Sequence, residues 1–280
     1  MSTAKRHPDG GVTTERRGAL LLMGFNRPEK YNGLTPRMMR ELGEAFALLD
    51  DDDQLRVGIV FGHGKHFTAG LDLPKWRERM RDRMRGRGRA KDGRASDNEG
   101  SEKRSDPFNL STQGRCRKPI ITAVHGITYT AGIELMLAGD IVVAADDCRF
   151  SQLEPKRGIM ATGGATFRFV ERGGWGNAMY HLLIVDEFDA AEAYRCGMVQ
   201  EVVPAGTQLD RAIELAEKIE ALAPLAIQAT KASARLYADR GEEACWSAFR
   251  EVQTKLANSA DAEEGVRSFI ERRDPVFKGH

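Results

Sequence analysis

Residues 123–140, AVHGITYTAGIELMLAGD, set Glu134 inside an apolar, helix-like stretch immediately behind a Thr-Ala-Gly turn. Among Ile133, Leu135, Met136, Leu137 and Ala138 its carboxylate is expected to meet a core rather than water. Burying an unpaired carboxylate is costly, so such a group shifts its pKa or finds a partner. Thr130 is a good N-cap, which puts the N–H groups of Ala131 and Gly132 in a first helical turn, where no intrahelical acceptor exists. An acid beside free backbone donors at the positive end of a helix can handle both a proton and a developing negative oxygen. The alternative is that Glu134 complements the helix dipole from the solvent side.

Outward from this run the chain alternates extended and helical segments. Residues 19–23 (ALLLM) read as a strand, followed by a loop with a Pro breaker at Pro28. Thr35-Pro36 opens a helix, with Thr as N-cap, Pro at the first position and Met38, Met39, Leu42, Ala45, Phe46 and Leu49 at helical spacing. The acidic turn 50–53 ends it. Residues 57–61 (VGIVF) form a short apolar strand buried on both faces. A strand–turn–helix unit covers 119–138, strands follow at 141–145 and from Arg149, and helices are expected at 166–171, 177–183 and 190–195. A short return strand is expected at 199–204, and from Leu209 onward nearly everything is helical. Strands alternating with helices imply crossover connections and mainly parallel pairing, an α/β class. The expected organisation is a flexible tail (1–11), an α/β core (12–204) and a helical C-terminal region (205–280).

The 280 residues are 41% hydrophobic and 30% charged with a formal net charge of +1, which favours neither a nucleic-acid binder nor a membrane-surface protein. Cys116, Cys148, Cys196 and Cys245 are scattered with no C-x-x-C pair, and the polar start lacks the apolar segment of a signal peptide. A reducing, cytoplasmic setting is expected. Glu134 and Asp140 interrupt the longest apolar stretch, leaving nothing of membrane-spanning length. The six histidines show neither H-x-x-x-H nor H-E-x-x-H spacing, so no metal is expected.

Residues 77–104 stand apart. They hold eleven Arg or Lys against six Asp or Glu, with Met80, Met84 and two alanines as the apolar side chains. Such composition buries too little surface to order itself, so a mobile insertion is expected. Arginine at every second position from 77 to 89 would scatter around a helix instead of forming one basic face. An RNA-binding role for this stretch lacks interleaved aromatics, since Trp76 and Phe108 only flank it.

Four segments, in order and at compatible distances, resemble the crotonase superfamily, the enoyl-CoA hydratase/isomerase group. They are 25–34 (FNRPEKYNGL), 65–73 (KHFTAGLDL), the run from Ala123 through Leu135, and 150–154 (FSQLE) with 163–168 (GGATFR). The likeness continues to 197–199 (GMV) and 269–273 (FIERR), and covers nearly everything but the tail and the Arg-rich stretch. It implies a right-handed spiral of ββα units with a C-terminal helical trimerisation region, assembled as a homotrimer or dimer of trimers.

The resemblance also implies the chemistry: syn hydration of a 2-enoyl-CoA, with another acyl-CoA hydrolase, lyase or isomerase of the same fold as the alternative. Two main-chain N–H groups, those of Leu71 and Ala131, are expected to grip a thioester oxygen as it gains negative charge. Glu134 and Glu154 match the two catalytic glutamates of the hydratases, Glu134 for water and Glu154 for proton exchange at C2. On residues alone Glu154 reads as an exposed loop acid, and Arg157 is a candidate partner that would lower its pKa. Thr162 stands where isomerases of dienoyl thioesters carry a further acid. The glycine-rich second turn is Tyr129-Thr130-Ala131-Gly132 here, adding two β-carbons. Lys30, Tyr31 and the backbone at Thr68 and Ala69 resemble coenzyme A contacts, with Asp72, Trp76, Tyr129 and Gly132 nearby. His66 and Tyr129 are candidates to touch the acyl group, and Phe269 and Lys278 to close the nucleotide site from a neighbouring subunit. An acyl-CoA is the implied substrate, with no separate cofactor.

Overall fold

The computed structural model describes residues 7–84, 105–110 and 114–280. The large sheet has strand order β1-β2-β3-β4-β6-β9, built from β1 (Val12–Arg17), β2 (Leu20–Phe25), β3 (Val57–Gly62), β4 (Ile120–Val124), β6 (Ile141–Ala145) and β9 (Glu201–Val203). Every pairing is parallel except β1 with β2, a hairpin turned at Gly18, where φ is +57°. A second sheet contains β5 (Ile127–Tyr129), β7 (Arg149–Ser151) and β8 (Phe188–Asp189).

These two sheets come from one repeated unit. β4 enters the large sheet, β5 the small one, and helix α3 (Ala131–Ala138) follows; β6, β7 and α4 (Ala165–Ile184) repeat it. Earlier in the chain the small-sheet strand shrinks to a single bridge. β3 is followed by the bridge Thr68–Thr128 and helix α2 (Leu73–Met84), and β2 by the bridge Leu34–Leu71 and helix α1 (Pro36–Asp51). Successive turns therefore stack like coils of a spiral. That stacking lays residues 67–71 against 125–130.

The core divides by the period-two alternation of the strands. Leu21, Met23 and Phe25 of β2 face the large cluster with Met38, Leu42, Phe67, Ile133, Met136 and Phe169. Leu20 and Leu22 face the opposite cluster with Val57, Ile59, Ile121, Val143, Ala212 and Ala216. Thr35 caps α1 as expected, its Oγ1 accepting from the Met38 N–H at 3.2 Å.

Several expectations are corrected. Residues 7–11 are tied down: the Asp9 carboxylate pairs with Lys75 and its carbonyl accepts from Thr35 Oγ1, while Gly11 O accepts from Asn26 N. The Arg-rich stretch begins as helix, because α2 continues through Met84. Asp72 Oδ1 accepts from Lys75 N at its start, Trp76 Nε1 donates to Leu34 O, and Arg79 lies over the Trp76 ring. Arg, Glu and Met are good helix formers, which composition-based disorder overlooks. Residues 85–104 of that stretch lie outside the described residues, as do residues 1–6 of the tail. The two helices expected at 166–171 and 177–183 are the two halves of α4, which meet at non-helical Gly174 (φ 72°, ψ 165°), so that expectation holds. Short helix α5 (Ala190–Arg195) matches its expected bounds.

Of the C-terminal helices α6 (Gln208–Glu220), α7 (Pro224–Arg240), α8 (Glu242–Ala257) and α9 (Ala260–Glu271), the first packs its Ala212 and Ala216 face on the large sheet. α6 is thus part of the core's layering, while α7, α8 and α9 pack on one another. Large apolar side chains stay exposed along this part of the chain, among them Tyr237, Trp246, Phe249, Phe269 and Ile270. Among the described residues no helix is long and apolar enough to cross a membrane. All four cysteines are buried free thiols.

Candidate active site

The first turn is held from both sides. Phe67 N and Thr68 N donate to His125 O and Ile127 O, and Tyr129 N donates back to Thr68 O. Thr68 Oγ1 donates to Asn32 O at 2.7 Å and accepts from Gly70 N. Leu34 N donates to Gly70 O and Asp72 N to Leu34 O, so the Leu71 N–H, lying between them on extended backbone, points away from Leu34. Among the described residues the Leu71 N–H has no acceptor.

The second turn differs from expectation at Thr130. It occupies the N-cap position but caps nothing with its side chain, and its backbone sits at φ 52°, ψ −119°. A threonine at positive φ is strained. Its N–H donates to Ser151 O, and its carbonyl accepts from Ile133 and Glu134. Oγ1 is turned to the first turn, where a β-carbon on Gly70 would lie 1.8 Å from it. The N–H of Ala131, first residue of α3, has no acceptor among the described residues. Gly132 lies under Thr68, close enough that a β-carbon would stand 2.7 Å from the Thr68 methyl. Two acceptor-free amides thus lie on adjacent, interlocked turns.

Two buried acids accompany them. Glu134, on α3, accepts at Oε1 from Gly163 N at 2.6 Å and Ala165 N at 3.2 Å, just where α4 begins. Burial pushes its pKa up, while those amides hold it down. Glu154 starts a 3-10 turn (Glu154–Arg157) and is buried rather than exposed. Its Oε2 has no hydrogen-bond partner. Burial, and then the charge of Glu134, push its pKa up to about 7. Arg157 does not pair with it: that guanidinium is exposed and donates to Lys156 O.

Two residues of the 163–168 segment, assigned no site role from the sequence, complete the surroundings. Arg168, buried on α4, donates to the carbonyls of Gly163, Glu134, Phe108 and Asn109. Gly163 is wedged between Glu134 and the Phe108 ring, each under 3 Å from any β-carbon placed there. The GGATFR segment was visible in the sequence; that its arginine turns inward toward carbonyls was not.

The other expected site residues differ in their settings. The Thr68 side chain is fully buried in its turn, leaving only its backbone near the cleft. Asp72 is committed to an ion pair with Arg27 at 2.6 Å and to the start of α2, so it is a scaffold residue. Trp76 is engaged with Leu34 O and Arg79. The Tyr129 hydroxyl bonds Glu187, which also pairs with Arg149, and this fixes the phenol in a surface network instead of over the acyl group. His66 accepts from Ile127 N at Nδ1 and stacks on Tyr31, with its pKa lowered by burial, as befits a neutral structural ring. Tyr31 is exposed, and its carbonyl accepts from Ala69 N. Lys30 ends an exposed 3-10 turn, and Thr162 is exposed beside Gly163. Phe269 is 84% exposed on α9. The Lys278 N–H is tied to Asp261, and the residue lines a cavity of about 1070 Å³ with Arg56, Lys118 and His280.

Stacked ββα turns thus carry two acceptor-free amides and two buried glutamates. The family model for enoyl-CoA hydratase/isomerase matches residues 15–280, and the chain belongs to that family. It is 34% identical over 278 residues to enoyl-CoA hydratase EchA19 of Mycobacterium tuberculosis, covering 99% of both chains. It is 35% identical to carnitinyl-CoA dehydratase of Escherichia coli O157:H7, covering 94% of this chain and 97% of the relative. Among solved structures, a probable enoyl-CoA hydratase/isomerase from Mycobacterium abscessus superposes with TM-score 0.86 at 38% identity, over 96% of this chain and 98% of that one. Enoyl-CoA hydratase from Mycobacterium tuberculosis H37Rv gives 0.82 at 32% identity, over 98% and 100%. The fold is the crotonase fold, and the chain is an enzyme of this family.

Proposed function

We propose that the chain adds water across the double bond of a 2-enoyl-CoA thioester with syn geometry. The observation that supports it best is the unequal setting of two buried acids. Burial raises the pKa of both, but Glu134 is bonded by two N–H groups that partly offset this by favouring its ionised form, whereas Glu154 has an unpartnered oxygen and a pKa of about 7. One acid is suited to take a proton and the other to give one.

In this scheme water attacks C3 while the Glu134 carboxylate takes its proton. Electron density moves to the thioester oxygen, where the N–H groups of Leu71 and Ala131 each contribute about 3 kcal/mol by donating to the forming enolate. The Glu154 carboxylic acid then gives its proton to C2, and the pair ends with its proton exchanged between members. Removal of water is the same path reversed, in keeping with relatives named both hydratase and dehydratase.

Coenzyme A enters only as part of the substrate, with no separate cofactor in the scheme. Lys30, Tyr31 and the backbone at 68–69 would meet its nucleotide and pantetheine portions. Phe269 and Lys278 would serve a neighbouring subunit in a trimer or dimer of trimers, which would also cover the apolar side chains left exposed on α7, α8 and α9. The test is the absorbance of the conjugated thioester during turnover of short and long 2-enoyl-CoAs. Glu134→Gln and Glu154→Gln should each lower kcat at least about 100-fold. Full activity in either variant would refute the assigned roles.

A further inference from the structure

On the far side of α4 from its N-terminal amides, three side chains from two helices converge. His181 Nε2 lies 3.1 Å from Glu192 Oε1, Cys196 Sγ lies 3.5 Å from that oxygen, and sulfur and ring nitrogen are 3.8 Å apart. Among the described residues this is the one group of three His, Cys, Asp or Glu side chains with ligand atoms this close. A tetrahedral ion with bonds of about 2.0–2.3 Å to N, O and S separates its ligands by about 3.3–3.7 Å. The observed triangle already has nearly those edges.

The ligand atoms are also held in place. Glu192 and Cys196 are four residues apart on one face at the end of α5, and the His181 ring is packed 4.1 Å from Phe188 and edge-on to Tyr180. His181 and Glu192 line a cavity of about 650 Å³ together with Asp186 and Glu187, which opens their side of the triangle to solvent. A cation already sits against the triangle: the Arg195 guanidinium touches Glu192 Oε1 at 2.6 Å and Cys196 Sγ at 3.4 Å. That side chain is 59% exposed and also donates to Glu192 Oε2 at 2.6 Å and to Asn177 Oδ1 at 3.1 Å, contacts an incoming ion has to displace.

We propose that His181, Glu192 and Cys196 form a binding site for a divalent cation of the zinc class, which displaces the Arg195 guanidinium, releases the Cys196 thiol proton to solvent and fastens α4 to α5. None of its ligands belongs to the acids or amides assigned to hydration. Nitrogen, sulfur and oxygen donors together select a borderline-soft ion over magnesium or calcium.

The test titrates Zn2+ or Co2+ into the full-length, chelator-treated protein by calorimetry and absorption spectroscopy. One ion per chain is expected, and Co2+ should show a sulfur-to-metal charge-transfer band that Cys196→Ser abolishes. His181→Ala and Cys196→Ser should weaken binding at least about tenfold, whereas Arg195→Ala should tighten it. The Co2+ spectrum of the unaltered protein needs no variant to fold. Absence of that band, affinity unmoved by Cys196→Ser, or affinity not raised by Arg195→Ala would overturn the proposal.

Discussion

Gly132 lies directly beneath Thr68, with 2.7 Å between the Thr68 methyl and the place a β-carbon at 132 would occupy. This contact locks two consecutive coils of the spiral together at the level of the Leu71 and Ala131 amides. Thr68 cannot retreat, because its hydroxyl is held by Asn32 O and Gly70 N. Gly132→Ala is therefore expected to force the turns apart. It should lower kcat/KM for a 2-enoyl-CoA at least about tenfold while costing about 1–3 kcal/mol of stability by overpacking. Steady-state kinetics alongside a denaturant titration would check both; unchanged kinetics would mean the amide spacing is not critical.

The coupled acids predict a bell-shaped pH profile. In the proposed scheme hydration needs Glu134 ionised and Glu154 protonated, and dehydration needs the reverse, so the singly protonated pair is active in both directions. With the Glu154 carboxyl at about 7, kcat/KM should fall as pH rises through neutrality and fall again in acid as Glu134 takes a proton. Because no proton is consumed overall, the two directions must share one profile. A flat alkaline limb would remove Glu154 from the role of acid.

Stability should respond to the same group with a definite sign. Glu154 binds its proton more tightly folded than unfolded, so the folded state gains relative stability while the acid is protonated and loses it as pH rises from the unfolded value toward about 7. Glu154→Gln, neutral at every pH, should raise Tm above neutrality and have little effect in mild acid. Thermal melts across that range would show it, and a variant less stable at alkaline pH would contradict the burial account.

Arg168 joins the Glu134 and Gly163 carbonyls to those of Phe108 and Asn109. Arg168→Met keeps the volume but strands those buried carbonyls, at a cost of about 2–4 kcal/mol. By loosening the Gly163 amide on Glu134 it should also move the acid limb of the pH profile to higher pH. Arg168→Lys should restore part of the stability. A stability loss with an unmoved profile would leave Arg168 a purely structural residue.

Much of the fold was legible because local signals agreed with it. Thr35-Pro36 marked α1, and the apolar runs marked β2, β3 and β6. β1 went unseen: its residues 12–17 (VTTERR) are almost all exposed, and only pairing with β2 makes them a strand. The spiral was not readable from periodicity, since in two of its coils the second strand is a single bridge at Leu34 or Thr68. Resemblance supplied the fold there. At the site, the resemblance led to the amides and acids. The backbone strain at Thr130, the commitment of Asp72 to Arg27 and the tie of Tyr129 to Glu187 depend on residues 45 to 58 positions distant, or on torsions no motif encodes. His181 and Cys196 escaped notice because their meeting crosses two helices at a spacing no metal motif uses.

Hydration in deuterium oxide tests the central claim most directly. With Glu134 and Glu154 serving one face of the double bond, NMR of the 3-hydroxyacyl-CoA product should show deuterium at C2 and hydroxyl at C3 added to the same side. Product formation should be lost when both glutamates become glutamine. Addition to opposite sides, or undiminished turnover by the double variant, would contradict the two-acid account.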